Sequence, residues 1–186
     1  YGMYFVVGKI TGLFSSTNDF AILYFINPTS FYVIGRSFMA LLGTATIFIV
    51  YLIGRKLFDK KVGLISSLFM AFVFWHVRDS HFITTDISMT FFVSLSFLFA
   101  VYIMMNGDTK YYMLSGIMAG LAAASKYTGC IIVVCLVTAH IIYSFDKQSL
   151  PKVLFSKKLL LGGIFLFLGF FLGCPFAFFD YHNFLP

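Results

Sequence analysis

The chain consists mainly of long apolar runs separated by short polar breaks. A membrane-spanning helix needs about 20 consecutive apolar residues, so runs of that length predict transmembrane helices. We predict spans at positions 33–53, 62–74, 87–105 and 159–179, the second continuing into the polar stretch that follows it. The run at 113–143 is long for one span and short for two. The pattern predicts an all-α protein that crosses a bilayer several times.

Basic residues decide how often the run at 113–143 crosses. Its middle is interrupted by a polar stretch around Lys126. The loops at 54–61 and 144–158 are both rich in lysine or arginine, and positive-inside bias places both on the cytoplasmic face. They share a face only if the run crosses twice, with its turn near Lys126. We therefore predict about six spans.

This topology divides the chain at position 33. Positions 1–32 hold apolar pieces too short to span, which we predict to be interfacial helices in a partial first outer loop. Positions 33–186 are predicted to form one transmembrane helical domain, truncated at both ends. The predicted fold class is an all-α, polytopic transmembrane helical bundle.

The composition supports a membrane protein and limits the classes of partner that we expect. The chain is 60% hydrophobic and 11% charged, whereas a soluble domain is about half apolar and about a quarter charged. The net charge of +6 comes from short loops, so we expect membrane lipids and no nucleic acid as partners. No metal-ligand spacing is present, so we predict no metal site and no cofactor, and leave a divalent-ion requirement open. His140 is isolated in an apolar run, and we predict a structural role for it.

The most polar stretch, Trp75-His-Val-Arg-Asp-Ser-His-Phe-Ile-Thr-Thr-Asp86, lies between two apolar runs. Charge in or beside a membrane is unfavourable, so such a cluster indicates a functional site. The alternative is a solvated loop in which Trp75 and His76 anchor the interface. In the six-span topology this stretch lies on the extracytoplasmic face.

Seven charged or titratable candidates are predicted at that face: Arg36, Arg78, Asp79, His81, Asp86, Lys126 and Asp180. Two chemistries fit acids beside bases in a membrane cavity. In transfer from a lipid phosphate, a carboxylate takes the proton of the acceptor while a cation neutralises the departing phosphate. In ion or proton transport, aspartate, histidine and lysine form a relay.

Four segments, in order, resemble a known family. They are Gly35-Arg36-Ser37 with the helix and basic loop after it, Ser80–Phe92, the glycine-rich helix Gly116–Lys126, and Cys174–Phe184. Together they are similar to the dolichyl-phosphate-mannose–protein mannosyltransferases and the related aminoarabinose transferases, which are C-type integral-membrane glycosyltransferases. The resemblance covers the chain from about Arg36 onward.

The resemblance implies transfer of a sugar from a polyprenyl-phosphate carrier to a protein, lipid or glycan acceptor on the extracytoplasmic face. The membrane would be the plasma membrane in a prokaryote and the endoplasmic reticulum in a eukaryote. The family has its main catalytic acid in the first outer loop, and we expect this sequence to be a fragment that lacks it. The alternative function is a transporter or lipid flippase subunit that uses the same charges for ions or phosphate.

The candidate residues divide into two roles. We predict catalytic roles for Asp86, His81 and Asp79. We predict substrate-binding roles for a second group, which consists of Lys126, Arg36, Arg78, Tyr127 and Asp180.

Five of these candidates have structural alternatives. Asp86 could stabilise the start of a helix, and Asp180 could end one. Lys126 could extend its ammonium to the headgroups, as lysines near helix ends do. Arg36 could anchor its helix, and His81 could be a hydrogen-bonded loop histidine.

Overall fold

The computed structural model describes residues 28–144 and 156–175, together with Gly12, Asp19, Ile22, Phe25, Ile26 and Val153. Every regular element in these residues is a helix, which confirms the all-α prediction for them. The elements are α1 (Thr29–Leu57), α2 (Lys60–Phe72), α3 (Phe74–Ser80), α4 (Thr85–Asn106), α5 (Thr109–Ser125), a 3-10 helix (Tyr127–Ile132), α6 (Val133–Ser144) and α7 (Lys157–Gly173). The predicted interfacial helices at 1–32 lie almost wholly outside the described residues.

Three helical segments are long and apolar enough to cross a membrane: Phe31–Leu57, Thr85–Asn106 and Tyr127–Ser144. The pair α2 and α3 would be a fourth if it forms one broken span. Helices α5 and α7 have 17 residues each. At 1.5 Å per residue they are about 25 Å long, against a hydrocarbon core of about 30 Å. The chain is thus an integral membrane protein, and its six spans remain a prediction.

The polar stretch after α2 is largely helical, in line with the predicted continuation of that segment and unlike the solvated loop considered as its alternative. Asp59 caps α2, where its side chain accepts a hydrogen bond from the backbone N–H of Val62 at 2.7 Å. The chain then breaks at Val73, and α3 continues at an angle of 63°. Only positions 81–84 connect α3 to α4. The prediction that this segment continues into the polar stretch is right, but it does so through a bend.

Helices α1 and α2–α3 run antiparallel. A side chain added at Gly54 would meet the backbone of Gly63 near the start of α2. One added at Gly43 would meet Ser80 at the end of α3. Because positions later in α2–α3 meet earlier positions of α1, the chain doubles back along α1.

The predicted turn at Lys126 is present. Lys126 has an extended backbone (φ −159°, ψ 129°), which ends α5 before the 3-10 helix begins. Tyr112 near the start of α5 then meets His140 near the end of α6, where Tyr112 Oη lies 2.5 Å from His140 Nδ1. The run at 113–143 therefore passes along the bundle twice, in opposite directions.

Glycines bring α5 and α7 into close parallel contact. A Cβ at Gly116 would overlap the carbonyl group of Gly162, and one at Gly120 would overlap the carbonyl oxygen of Leu166. Small residues at such spacing let membrane helices approach backbone to backbone. Helix α7 ends at Gly173 and not at 179 as predicted, and Pro175, which cannot continue a helix hydrogen-bond ladder, follows two residues later.

The bundle has two chemically different ends. Lys158 Nζ donates to the Gly107 carbonyl at 2.7 Å, which places the start of α7 beside the connection from α4 to α5. Lys56 Nζ lies 5.2 Å from the ring centroid of Tyr102, which places the end of α1 beside the end of α4. We call this the basic end. Its described charges are Arg55, Lys56, Lys60, Lys61, Lys110, Lys157 and Lys158, with Asp59 and Asp108. The opposite end, here called the site end, carries Arg36, Arg78, Asp79, Asp86 and Lys126.

Candidate functional site

Asp86 and Lys126 form an ion pair at the site end. Lys126 Nζ lies 2.7 Å from Asp86 Oδ1, close enough for a charge-assisted hydrogen bond. Asp86 lies in the first turn of α4, and Lys126 lies at the break between α5 and the 3-10 helix. The antiparallel pairing of α4 with α5 brings these two positions together.

The start of α4 favours a negative charge, although Asp86 is not its capping residue. The N-cap is Thr84, and no side chain caps the helix by a hydrogen bond. Asp86 is the second helical residue, where the positive end of the helix dipole stabilises a carboxylate. Among the described residues, Thr84 Oγ1 is buried without a hydrogen-bond partner. Asp86 is therefore not the N-cap of α4, but its place in the first turn fits a stabilising contribution to the start of the helix.

The ion pair is accessible. The side chains of Asp86 and Lys126 are 44% and 46% exposed. Ion pairs in water-accessible positions contribute about 0–1 kcal/mol to stability. Fold stability is thus a weak reason for placing these charges together, and both groups are open to a ligand.

The 3-10 helix after Lys126 is held against α4. Thr128 Oγ1 lies 3.4 Å from Met89 Sδ, one turn beyond Asp86. Gly129 packs on Ala122, so a Cβ at Gly129 would overlap the Ala122 backbone. These contacts hold the 3-10 helix that follows Lys126 against α4 and α5.

Arg78 and Asp79 form a second, self-contained pair. Arg78 Nε donates to Asp79 Oδ1 at 2.8 Å, and Arg78 Nη2 lies 2.7 Å from the same oxygen. The guanidinium also lies 4.0 Å from the ring centroid of Trp75, within cation–π range. Arg78 is therefore held by a carboxylate and an aromatic ring at once, and is less available to a ligand than Lys126.

The other predicted residues lie near these pairs or outside the described part. Arg36 lies 5.8 Å from the ring centroid of Phe82, and His81 Nδ1 donates to the Val77 carbonyl at 2.7 Å. Within the described residues, no hydrogen bond or ion pair joins Arg36 or His81 to either acid–base pair. Tyr127 follows Lys126 and is 66% exposed.

Asp180 lies outside the described residues, so its predicted substrate-binding role remains a prediction.

His76 has a structural role that the sequence did not predict. It was considered an interface anchor, but its side chain is buried, and Nε2 donates to the Gly43 carbonyl at 3.1 Å. Ser80 Oγ donates to the His76 carbonyl at 2.6 Å, and both lie over Gly43. The four-residue spacing of His76 and Ser80 on one helix face was the available signal. These contacts fix α3, which carries Arg78 and Asp79, against α1.

His140 is buried at the basic end and has several partners. Its Nε2 donates to the Val153 carbonyl at 3.0 Å and lies 2.9 Å from Ser156 Oγ, which also caps α7. With the proton on Nε2, Nδ1 accepts from the Tyr112 hydroxyl at 2.5 Å. The network supports the structural role predicted for His140.

The described residues form an all-helical apolar bundle with exposed acid–base pairs at one end, and the length and apolarity of its helices fit an integral membrane protein. The sequence pattern of the dolichyl-phosphate-mannose-protein mannosyltransferase family matches residues 21–173. The chain belongs to this family, as the resemblance of its four segments predicted, and its class is that of C-type membrane glycosyltransferases. Searches of curated proteins and of solved structures returned no match.

Proposed function

We propose that this protein transfers a sugar from a polyprenyl-phosphate carrier to an acceptor, and that Asp86 and Lys126 lie in its active cavity. The observation that carries the proposal is the half-exposed Asp86–Lys126 pair at one end of an apolar bundle. Charge within or beside a membrane is unfavourable, so a retained acid–base pair there indicates a functional site. Membership of the mannosyltransferase family supports this chemistry.

Lys126 would bind the phosphate of the carrier. When the bond between the anomeric carbon and the phosphate oxygen breaks, the electron pair stays on that oxygen and the phosphate gains negative charge. A fixed ammonium group stabilises this charge more in the transition state than in the ground state, and so lowers the barrier. Before the carrier binds, Asp86 would hold the ammonium group of Lys126 in position, and the bound phosphate would then contact the same ammonium group.

A carboxylate would take the proton of the acceptor. The acceptor oxygen bonds to the anomeric carbon and releases its proton, which a nearby base accepts. Asp86 and Asp79 are acids at the site end. Asp79 Oδ1 is engaged by two nitrogens of Arg78, so Asp86 is the better candidate for contact with the reacting groups.

The site end would face the extracytoplasmic side. The basic end holds seven of the described lysines and arginines, and the site end holds three. Positive-inside bias favours a cytoplasmic position for the end with more bases. A sugar on a lipid carrier would then be transferred outside the cytoplasm, to a protein, lipid or glycan.

The test is a transfer assay with the full-length protein in proteoliposomes. Polyprenyl-phosphate carriers with radiolabelled sugars would be offered with protein, glycolipid and glycan acceptors in turn. Transfer that is lost in Asp86→Asn and kept in Asp108→Asn, a matched change at the basic end, supports the proposal. Carrier movement across the bilayer without any transfer would favour the flippase alternative.

A further inference from the structure

A separate cavity lies at the basic end, between α1 and α4. Its volume is about 270 Å³, close to the lower limit of about 300 Å³ for small-molecule sites. It is lined by Leu52, Arg55, Lys56 and Tyr102. Two cations, a phenol and one apolar side chain thus share one open hollow, at the opposite end of the bundle from Asp86.

Among the residues that the structure describes, the cations of this cavity have no acidic partner. Among the described residues, the acids at the basic end are Asp59 and Asp108. Asp59 Oδ1 accepts a hydrogen bond from the backbone N–H of Val62. Asp108 Oδ2 forms an ion pair with Lys110 Nζ at 3.7 Å. Within the same residues, no carboxylate pairs with Arg55 or Lys56.

The cavity walls are held in place by packing. Gly63 of α2 approaches α1 so closely that a Cβ there would overlap the backbone N of Arg55. On the other side, Tyr102 stacks on Tyr111 with ring centroids 4.8 Å apart, and Lys56 Nζ lies over the Tyr102 ring. The cationic groups therefore project from a backbone that is fixed before a ligand arrives, which lowers the entropy lost on binding.

An apolar stripe on α1 leads to the cavity. Leu41 is 65% exposed, and Phe48 is 60% exposed. Arg55 follows Phe48 by seven residues, as Phe48 follows Leu41, so all three lie on nearly the same face of the helix. Leu52 lies between Phe48 and Arg55 and lines the cavity itself. An acyl chain along this stripe would have its headgroup beside Arg55.

We infer that this cavity binds the phosphate of an anionic phospholipid in the leaflet at the basic end. The guanidinium of Arg55 suits two phosphate oxygens at once, Lys56 adds a point charge, and the Tyr102 hydroxyl can donate a hydrogen bond. Basic pockets between membrane helices on the cytoplasmic side bind anionic headgroups in this way. This site is independent of the sugar-transfer proposal, because it lies at the other end of the bundle.

Arg55 and Lys56 also have a simpler role, since cations in the last turn of a helix stabilise its dipole. That role requires neither a cavity nor a lipid. A role in stabilising the helix dipole predicts that anionic and neutral phospholipids bind equally tightly. The two explanations therefore give different results in a binding experiment.

The experiment titrates the purified full-length protein, in neutral detergent, with dioleoyl phosphatidylglycerol or dioleoyl phosphatidylcholine. Native mass spectrometry measures the dissociation constant of the first bound lipid. We expect phosphatidylglycerol to bind at least about ten-fold more tightly than phosphatidylcholine. In the double variant Arg55→Gln with Lys56→Gln, this preference should fall by about ten-fold.

The matched control is Lys60→Gln with Lys61→Gln, which removes the same charge at the same end but outside the cavity lining. It should keep the preference within about two-fold, because neutral detergent presents no anionic bilayer surface to attract these two lysines. Tyr102→Phe keeps the ring and removes one donor, so it should weaken phosphatidylglycerol binding even if the double variant fails to fold.

Several results would overturn the inference. They are equal binding of the two lipids, an equal loss in both double variants, or unchanged binding in Tyr102→Phe and the cavity variant. Displacement of the lipid by sn-glycerol 3-phosphate at concentrations matching the lipid would also overturn it, because the site would then bind a soluble phosphate. Sugar transfer need not be measured, so failure here is distinguishable from failure of the proposed function.

Discussion

Asp86 and Lys126 are 40 positions apart in the sequence, and their charged atoms lie 2.7 Å apart in the structure. The contact joins the first turn of α4 to the break that ends α5. It gives Lys126 the acidic partner that its own turn lacks. The two residues should consequently behave as one unit in mutagenesis, with effects that are not additive.

Asp86→Asn should reduce sugar transfer by about ten-fold or more, the scale of a lost electrostatic or acid–base contribution. Asparagine keeps the shape of the side chain but removes its charge, so folding should be little affected. Steady-state transfer by the full-length protein measures the effect, and Asp108→Asn is the control. Parent-like turnover in Asp86→Asn would limit Asp86 to a helix-dipole role.

Lys126→Ala should impair use of the carrier, and Lys126→Arg should restore it only in part, because guanidinium and ammonium groups meet phosphate with different geometry. Transfer rates measured against carrier concentration separate binding from turnover. Lys110→Ala, at the basic end, is the matched control. If arginine substitutes freely and alanine has little effect, Lys126 is a membrane-interface anchor.

Gly120→Ala should destabilise the protein by about 1–3 kcal/mol, as inserting a methyl group into a tight contact does. The new Cβ would overlap the backbone of α7 at Leu166. Gly163→Ala is the control on the facing helix, because nothing lies within 4 Å of its added Cβ. Thermal unfolding in detergent compares the two variants, and equal stability would contradict the close approach of α5 and α7.

Tyr112→Phe should destabilise the protein by about 1–3 kcal/mol, because it leaves a buried acceptor, Nδ1 of His140, without its hydrogen-bond donor. The change removes the hydroxyl group that donates a hydrogen bond to His140 Nδ1, and it keeps the aromatic ring. Tyr111→Phe, on the neighbouring tyrosine that stacks with Tyr102, is the matched control. Thermal unfolding should distinguish them. An unchanged melting temperature in Tyr112→Phe would mean that this hydrogen bond contributes nothing measurable to stability.

Single cysteines should locate the two ends of the bundle. In a background where serine replaces the three native cysteines, Thr128→Cys should react with an impermeant maleimide from outside intact cells. Phe58→Cys and Asn106→Cys, at the basic end, should react only after permeabilisation. The reverse pattern would invert the proposed orientation.

The membrane class and the break at Lys126 follow from the sequence alone. Hydropathy and loop charge act locally, because each segment meets the bilayer or water by itself. Local charges predicted that 113–143 crosses twice, and the meeting of Tyr112 with His140 shows that the chain does turn back on itself there. Two crossings of the bilayer remain a prediction. The family also follows from local segments in order.

The partners of individual side chains could only be decided by the tertiary structure. Nothing in the sequence around His76 shows that Gly43 lies across from it, or that the helix bends at Val73. Lys126 had several possible acidic partners, and helix pairing selected Asp86. A hydrogen bond needs its donor and acceptor atoms about 3 Å apart, so the bonds that form depend on which helices approach each other and in what register. Those approaches depend on glycines and small side chains of two segments at once, which no single stretch of sequence specifies.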